Sequence, residues 1–459
     1  MTHPEAFADE AIGPKILRHL GDLLRLAWPV MLSRAGILVM AFADIAMLGR
    51  YGEGSVGISN LGIAIFVPVI VMTIGMASGM VPVVSQAYGA GNYQECGRAW
   101  RRGLFWGCVI SVIGIAVAWR GETLLLMFGQ TPELAKGGGD VAVALAPGIL
   151  AQTVFAVCAF YLESIRRPLF ALTVMVIANV VNVALNWVMI FGNFGFPELG
   201  AVGAASASTI ARFCAAGLML WFIFTLPNGA AMGIRGPWET FWGPGGWRAG
   251  HLMRKLGGSA AVSNGFETIG FAAMSLMAGT LGIAALDAYS ISHNLLSTFF
   301  MIGLGLAVAT GVRVGQATGA GNPREAAFAG WTGLLMALLI MGTLSGLVLV
   351  FRNEIASIYT DDEELILRAA ALFAIAAFVF VPDSLQVVMG QAVRALGDAW
   401  VPIAAYILSF VVLMIPLGWY MISVAGWDER GLALSIAVSC VVATVLLAWR
   451  FRTLTRVRT

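Results

Sequence analysis

The chain has 459 residues, of which 59% are hydrophobic and 11% charged, with a mean hydropathy of +0.85. A soluble domain carries roughly 25% charged residues, so that class is excluded. A formal net charge of +2 without a basic tract gives a nucleic acid nothing to hold. What remains is a polytopic membrane protein built of helices, because its apolar runs stay apolar instead of alternating as barrel strands do.

Residues 1–23 are polar and charged, and read as a cytoplasmic, partly helical lead-in without a cleavable signal peptide. Spans are predicted at 24–49, 56–82, 101–119, 139–163, 169–192, 199–225, 252–279, 284–312, 327–351, 365–392, 400–424 and 430–449. Pro29, Pro68, Pro147 and Pro416 read as kinks within them. Cys96, Cys108, Cys158, Cys214 and Cys440 lack metal-ligand spacing and read as small hydrophobes. The stretch 226–251 is rich in Gly, Pro and Trp, and Trp238, Trp242 and Trp247 predict a short interfacial segment between halves. The expected division is an N-lobe at 1–230, an inter-lobe cytoplasmic loop at 231–251 and a C-lobe at 252–459.

Orientation follows from charge. With the N-terminus inside, the cytoplasmic loops carry Arg98, Arg101, Arg102, Arg166, Arg167, Arg235, Arg248, Arg254, Lys255, Arg313, Arg324 and Arg394. The opposite side holds Arg50, Arg120, Lys136, Arg352, Arg368 and Arg430. The positive-inside rule therefore predicts two cytoplasmic termini.

An internal repeat divides the chain in the same place. SQAYGAGN (Ser85–Asn92) recurs as GQATGAGN (Gly315–Asn322), an offset of 230 residues. MFGQTPEL (Met127–Leu134) is echoed by IYTDDEEL (Ile358–Leu365), and LNWVMI (Leu185–Ile190) by LGWYMI (Leu417–Ile422). Six spans return the chain to its starting side, so the halves are parallel repeats about an axis along the membrane normal, with binding sites between them. The GAGN corners are expected to turn on glycines with positive φ.

Candidate functional residues are the acids inside apolar runs. Asp383, in FVFVPDSLQVVMGQAVRALGD, follows Pro382, and Glu267 lies in VSNGFETIGF. A charge at the bilayer centre costs ~2.5–3.5 kcal/mol, and the proline frees a carbonyl nearby. A buried carboxylate is cheaper neutral than charged, so such a site can exchange a proton for Na⁺. The acids do not repeat between halves: Asp383 aligns with about Gln152 and Glu267 with Ile37. Structural acids would tend to repeat with the fold. Asp44, late in span one, is a third candidate. Asn182 and Asn186 share a face of span five, and Gln386 stands one turn after Asp383. Asp287 and His293 on span eight are weaker candidates, and Arg212 in span six calls for an acidic or carbonyl partner. No Walker loop, HExxH, GxSxG or CxxCH occurs, which speaks against an enzyme.

These residues resemble the multidrug and toxic compound extrusion (MATE) family, in its NorM-like branch. The matching elements are LAWPVM and FADIAMLG, VPVVSQAYGAGN, LNWVMIFGNFGFPELGAVGAA, GFETIGF, RVGQATGAGN and PDSLQVVMGQAVRALGD. The resemblance implies an all-α membrane protein of twelve transmembrane helices, in two pseudo-twofold-related six-helix lobes around a V-shaped central cleft. It implies antiport, with Na⁺ or H⁺ entering as cationic or amphipathic drugs leave. Glu267 and Asp383 match acids of the C-terminal lobe, and Asp44, Asn182 and Asn186 a polar cluster of the N-terminal one. The DinF-like branch typically lacks the two C-lobe acids. One departure is Val379, where NorM-like members carry an aromatic residue; Asp287 is then expected as a local substitute. The expected setting is a bacterial inner membrane, with a monomeric protein and no cofactor beyond the coupling ion. A lipid-linked oligosaccharide flippase of the same superfamily stays open, although its cleft would carry several basic residues and the spans here offer Arg34 and Arg212. So does a membrane enzyme or assembly factor.

Overall fold

In hydrocarbon a backbone must satisfy its own hydrogen bonds, so each apolar run closes into a helix. The computed structural model describes residues 12–52, 54–236, 244–360 and 362–456. Residues 1–11 of the predicted lead-in, and Trp238 and Trp242, lie outside these described residues.

The N-lobe comprises α1 (Ile12–Gly49), α2 (Ser55–Ser78, continuing as Met80–Gly89), α3 (Tyr93–Ala118), α4 (Pro132–Ser164), α5 (Leu169–Phe191) and α6 (Gly200–Phe224). The C-lobe follows with α7 (His251–Thr280), α8 (Ile283–Gly319), α9 (Pro323–Val350) and α10 (Glu363–Ala395). It ends with α11 (Trp400–Tyr406, then Ile407–Leu413 and Met414–Ser423) and α12 (Asp428–Arg456). Eleven of the twelve are long and apolar enough to cross a membrane by length and composition. The other, α7, is equally long but carries Ser263, Asn264 and Glu267 at its middle.

Several helices overrun their predicted spans, because they continue into polar ends and are capped there. Asp362 accepts the amides of Glu364 and Leu365 at the start of α10. Hydropathy also missed a short helix after the third span of each half, Gly121–Met127 and Arg352–Ser357. In α11, residues Ile407–Leu413 wind as a π-helix, shortly before Pro416. Proline lacks the amide that would bond the carbonyl four residues back, so regular α-bonding fails just there.

The two repeat motifs form matching corners. Gly91 and Gly321 turn the chain at φ of 73° and 72°, and Asn92 and Asn322 cap the next helices by accepting the amides of Glu95 and Glu325. The other glycine of each motif lets the two copies touch. A Cβ on Gly89 would strike the Gln316 carbonyl, and one on Gly319 the Gln86 carbonyl. Around this contact Gln86 donates to the Ala395 carbonyl at 2.7 Å and Gln316 to the Ser164 carbonyl at 2.9 Å. Arg166, in the α4–α5 loop, donates to the Gln316 side chain at 2.7 Å; burial, then the nearby Arg313, lowers its pKa. Arg313 also pairs with Asp22 at 2.7 Å, and His19 contacts Glu325 at 2.9 Å. Further along the same seam Gly75 lies against Ala261 and Gly79 against Gly257. The lobes are thus bound together at the end that carries the GAGN corners.

Three arginines counted above as loop cations are inside the protein. Arg101, Arg102 and Arg394 are 2%, 6% and 4% exposed. Arg101 donates to the carbonyls of Gly233 and Ile234, holding the inter-lobe loop, and Arg102 pairs with Glu95 at 2.7 Å. Trp247 is exposed, with the Arg254 guanidinium 3.7 Å from its ring centre.

Candidate functional site

Two polar centres lie within the lobes. In the C-lobe, α10 and α7 bring Asp383 and Glu267 together out of solvent, at 1% and 7% exposure. Gln386 bridges them: its Nε2 donates to Glu267 Oε1 at 3.0 Å and to Asp383 Oδ1 at 3.5 Å. Asp383 and Gln386 share a face of α10 because a three-residue step is close to one turn. From α12, the Cys440 thiol contacts Asp383 Oδ1 at 3.7 Å, and Thr444 donates to the Pro382 carbonyl at 3.0 Å. The Gln386 Oε1 and the Ser384 hydroxyl find no hydrogen-bond partner. Arg394, three turns along α10, is within electrostatic reach of Glu267, and its guanidinium stands 5.8 Å from the Tyr406 ring centre. Its Nε and Nη2 are buried without hydrogen-bond partners. Two carboxylates therefore face one amide donor, one weak thiol donor and one more distant cation.

In the N-lobe, Asp44 of α1 is met by donors from two helices. Its Oδ1 accepts Asn182 Nδ2 at 3.0 Å and Asn186 Nδ2 at 2.6 Å, both from α5, and its Oδ2 accepts the Ser208 hydroxyl of α6 at 2.5 Å. Asn182, Asn186 and Ser208 are buried and Asp44 is half-buried. The expected trio is thus assembled, with a fourth member, Ser208, that the sequence did not single out.

Two sequence candidates fall elsewhere. Asp287 is exposed near the start of α8 and shares no hydrogen bond with the acid pair among the described residues. The part of α8 level with the pair is Gly303, which packs on Ser384, about 24 Å further along the helix at ~1.5 Å per residue. It is no local substitute for the missing aromatic. Val379 is buried and Phe378 points outward, 68% exposed, while Tyr406 from α11 lies within electrostatic reach of both acids. His293 packs against Phe271 and Tyr289 in an aromatic group.

The cations named as possible cleft linings are both engaged. Arg34 Nη2 donates to both carboxylate oxygens of Glu163 of α4, at 3.1 and 3.2 Å, with its guanidinium 4.9 Å from the Phe160 ring centre. Arg212 lies 4.9 Å from the Phe66 ring centre and within electrostatic reach of Asp44. Glu163 was not noticed in the sequence because it ends an apolar span beside two loop arginines. Among the described residues no group of three or more His, Cys, Asp and Glu side chains could hold a metal ion.

The MatE family model matches residues 29–188 and again 259–420. The second match begins at the offset read from the GAGN repeat. Relatives named as probable multidrug resistance protein NorM include one from Caulobacter vibrioides, 33% identical over 99% of this chain and 96% of its own length. A multidrug resistance protein NorM from Burkholderia vietnamiensis is 30% identical, over 98% of this chain and 97% of its own. The fold is that of the crystal structure of the eukaryotic MATE transporter AtDTX14. That match has a TM-score of 0.87 at 18% identity and covers 97% of this chain and all of the other. The outward-facing conformation of a multidrug resistance MATE family transporter gives a TM-score of 0.84 at 16% identity, over 97% and 99%.

Proposed function

The chain belongs to the MatE family, a family of transporters rather than enzymes, and from that premise we propose that it is an ion-coupled multidrug efflux antiporter working by alternating access. The observation that carries this reading is the Glu267–Gln386–Asp383 group. Two carboxylates in hydrocarbon with so few donors are costly unless a cation joins them. A proton or Na⁺ entering this site supplies that charge, and its departure leaves the pair under-compensated. The free oxygen of Gln386 is an additional ligand for an incoming cation.

The lobe contacts supply the mechanical half. The seam of Gly89, Gly319, Gln86, Gln316 and Ser164 closes one side of the inter-lobe space. By the charge rule that side is the cytoplasm, which puts both termini inside. Alternating access then requires this seam to part while the far side closes. Pro29, Pro68, Pro147 and Pro382 lie inside helices, where each missing backbone hydrogen bond lets the two halves adjust separately. The cargo is a small cationic or amphipathic molecule, and the setting a bacterial inner membrane. A flippase for an anionic lipid-linked sugar is less well served, since Arg34 is occupied by Glu163.

The test is dye efflux from proteoliposomes of the full chain under an imposed Na⁺ gradient and, separately, an imposed pH gradient. One of the two should drive efflux, and E267Q and D383N should each remove that dependence. Equal efflux without either gradient, unchanged by both substitutions, defeats the reading.

A further inference from the structure

The seam between the lobes holds a histidine that the coupling scheme leaves unused. His19 stands near the start of α1, and Asp22 follows three residues later. Both belong to the N-lobe, but their partners belong to the C-lobe. Arg313 of α8 donates from Nη1 to Asp22 Oδ2 at 2.7 Å and places Nη2 3.0 Å from His19 Nδ1. Across the ring, His19 Nε2 is 2.9 Å from Glu325 Oε1 of α9. Phe328, one turn after Glu325, meets the ring edge-on at 4.7 Å, and His19 is 1% exposed. Glu325 is fixed in turn by the GAGN corner. Asn322 accepts its amide, and it lies in the first turn of α9, where a carboxylate is favoured.

These partners dictate where the ring carries its proton. A guanidinium has donors only, so Nδ1 must accept from Arg313, and the single ring proton sits on Nε2, donated to Glu325. The neutral ring thus satisfies a cation and a carboxylate at once. A second proton has one place to go, Nδ1, where it meets the N–H of Arg313 and sets two cations side by side in a buried space. The other charges nearby do not relieve this. Asp22 is already held by Arg313, and Arg166 of the α4–α5 loop is a further cation within electrostatic reach of Arg313. Arg18 and Arg324, next to His19 and Glu325 in the chain, are two more. Glu325 gains from an imidazolium, and draws the ring toward α9 and away from α8.

We propose that His19 is a pH-sensitive clasp between the lobes, closed by the neutral ring and loosened by its protonation. Histidine changes charge between about pH 5 and 8, so the clasp answers to the compartment that the GAGN corners face. Once it is loosened, α8 is held to α1 here by the Arg313–Asp22 pair, whose carboxylate side chain is 53% exposed and screened by water. Gln316, one turn along α8 from Arg313, donates to the Ser164 carbonyl across the seam, so the change reaches the lobe contact directly. The inference stands on these contacts and not on which residues exchange the coupling ion.

The experiment reads seam opening in purified full-length protein with exposed Cys214 replaced and a cysteine at Ser164, which is fully buried in the closed seam. E267Q and D383N are present throughout, so that the proposed exchange site does not titrate. Maleimide labelling is timed at about pH 5.5 and about pH 7.5, and each rate is divided by that of H19Q at the same pH, which cancels the reagent's own pH dependence. Glutamine accepts and donates like the neutral ring but takes up no proton. The ratio should be near one at the higher pH and at least about threefold at the lower. H19K, which cannot accept from Arg313, should already label faster than H19Q at the higher pH. A ratio near one at both values, a ratio below one in acid, or H19K as slow as H19Q would each overturn the proposal. If H19K does not purify as a single species, R313Q decides. It lets Nδ1 take a proton without conflict, so R313Q divided by R313Q/H19Q should not change with pH, and a persisting acid rise would overturn the clasp. A negative result in the gradient-driven efflux test would undo the coupling proposal and leave this one standing.

Discussion

In the N-lobe a single carboxylate, Asp44, receives three hydrogen bonds and has an arginine close by. In the C-lobe two carboxylates share one amide and one thiol, and the nearest arginine reaches only toward Glu267. Both centres lie among apolar helices of the same repeat fold, so the difference is not one of architecture. A third acid, Glu163, is the directly ion-paired case, fully buried with both oxygens on one nitrogen of Arg34. On the proposed reading, what would separate a joint from an exchanger is the count of donors and cations per carboxylate. A saturated acid gains nothing from a passing cation, while an under-supplied pair gains a great deal.

The largest effect expected from this contrast is in rescue. D383N and E267Q should each reduce gradient-driven efflux to the protein-free background, and no neutralising change elsewhere in the C-lobe should restore it. Efflux that survives either substitution, or that returns with such a change, would break the comparison. Next comes Glu163. E163Q leaves the Arg34 guanidinium buried beside a neutral partner, a cost of about 3–5 kcal/mol, seen as a marked fall in Tm. The apolar double replacement R34L/E163L should regain most of it. A Tm unchanged by E163Q would mean that the pair is hydrated and that saturation is the wrong description.

Much of this was legible in the chain. Eleven of the spans stand out by hydropathy and α7 less so, because Ser263, Asn264 and Glu267 interrupt it; the division into halves is read from the GAGN repeat. Glu267, Asp383, Asp44, Asn182 and Asn186 stood out because each is polar where its neighbours are not. The partners were harder. Ser208 and Cys440 are small residues that pass unremarked in apolar helices, and only packing brings them to Asp44 and Asp383. Arg394 was misplaced because the positive-inside rule counts charges and is blind to burial. Asp287 shares a helix with Gly303 at the acid pair's level but sits far along its axis, a separation that residue type alone does not show.

A smaller effect is expected at the seam between lobes. G319A would push a Cβ into the Gln86 backbone, costing about 1–3 kcal/mol in the closed arrangement alone. With exposed Cys214 replaced, a cysteine at Ser164 should react with a maleimide at least about fivefold faster in G319A, since ~1 kcal/mol corresponds to that ratio. Unchanged labelling would mean that Gly319 serves the turn and not the approach of the lobes. Both acid centres would then be uncoupled from this contact.

The smallest effect belongs to Cys440, and its smallness is itself informative. A thiol is a weak donor, and at 3.7 Å from Asp383 Oδ1 it contributes at most about 0.5 kcal/mol, roughly twofold in rate. C440A should therefore leave efflux within about twofold of the parent protein. C440S is the sharper variant, because a hydroxyl in that place donates more strongly and moves the C-lobe pair toward the saturated condition of Asp44. If under-supply drives ion exchange, C440S should be the slower of the two, despite being the closer mimic of cysteine. A C440A protein that loses efflux while C440S keeps it would show that the pair depends on this donor. The contrast between the lobes would then lie in which donors are present, not in how many.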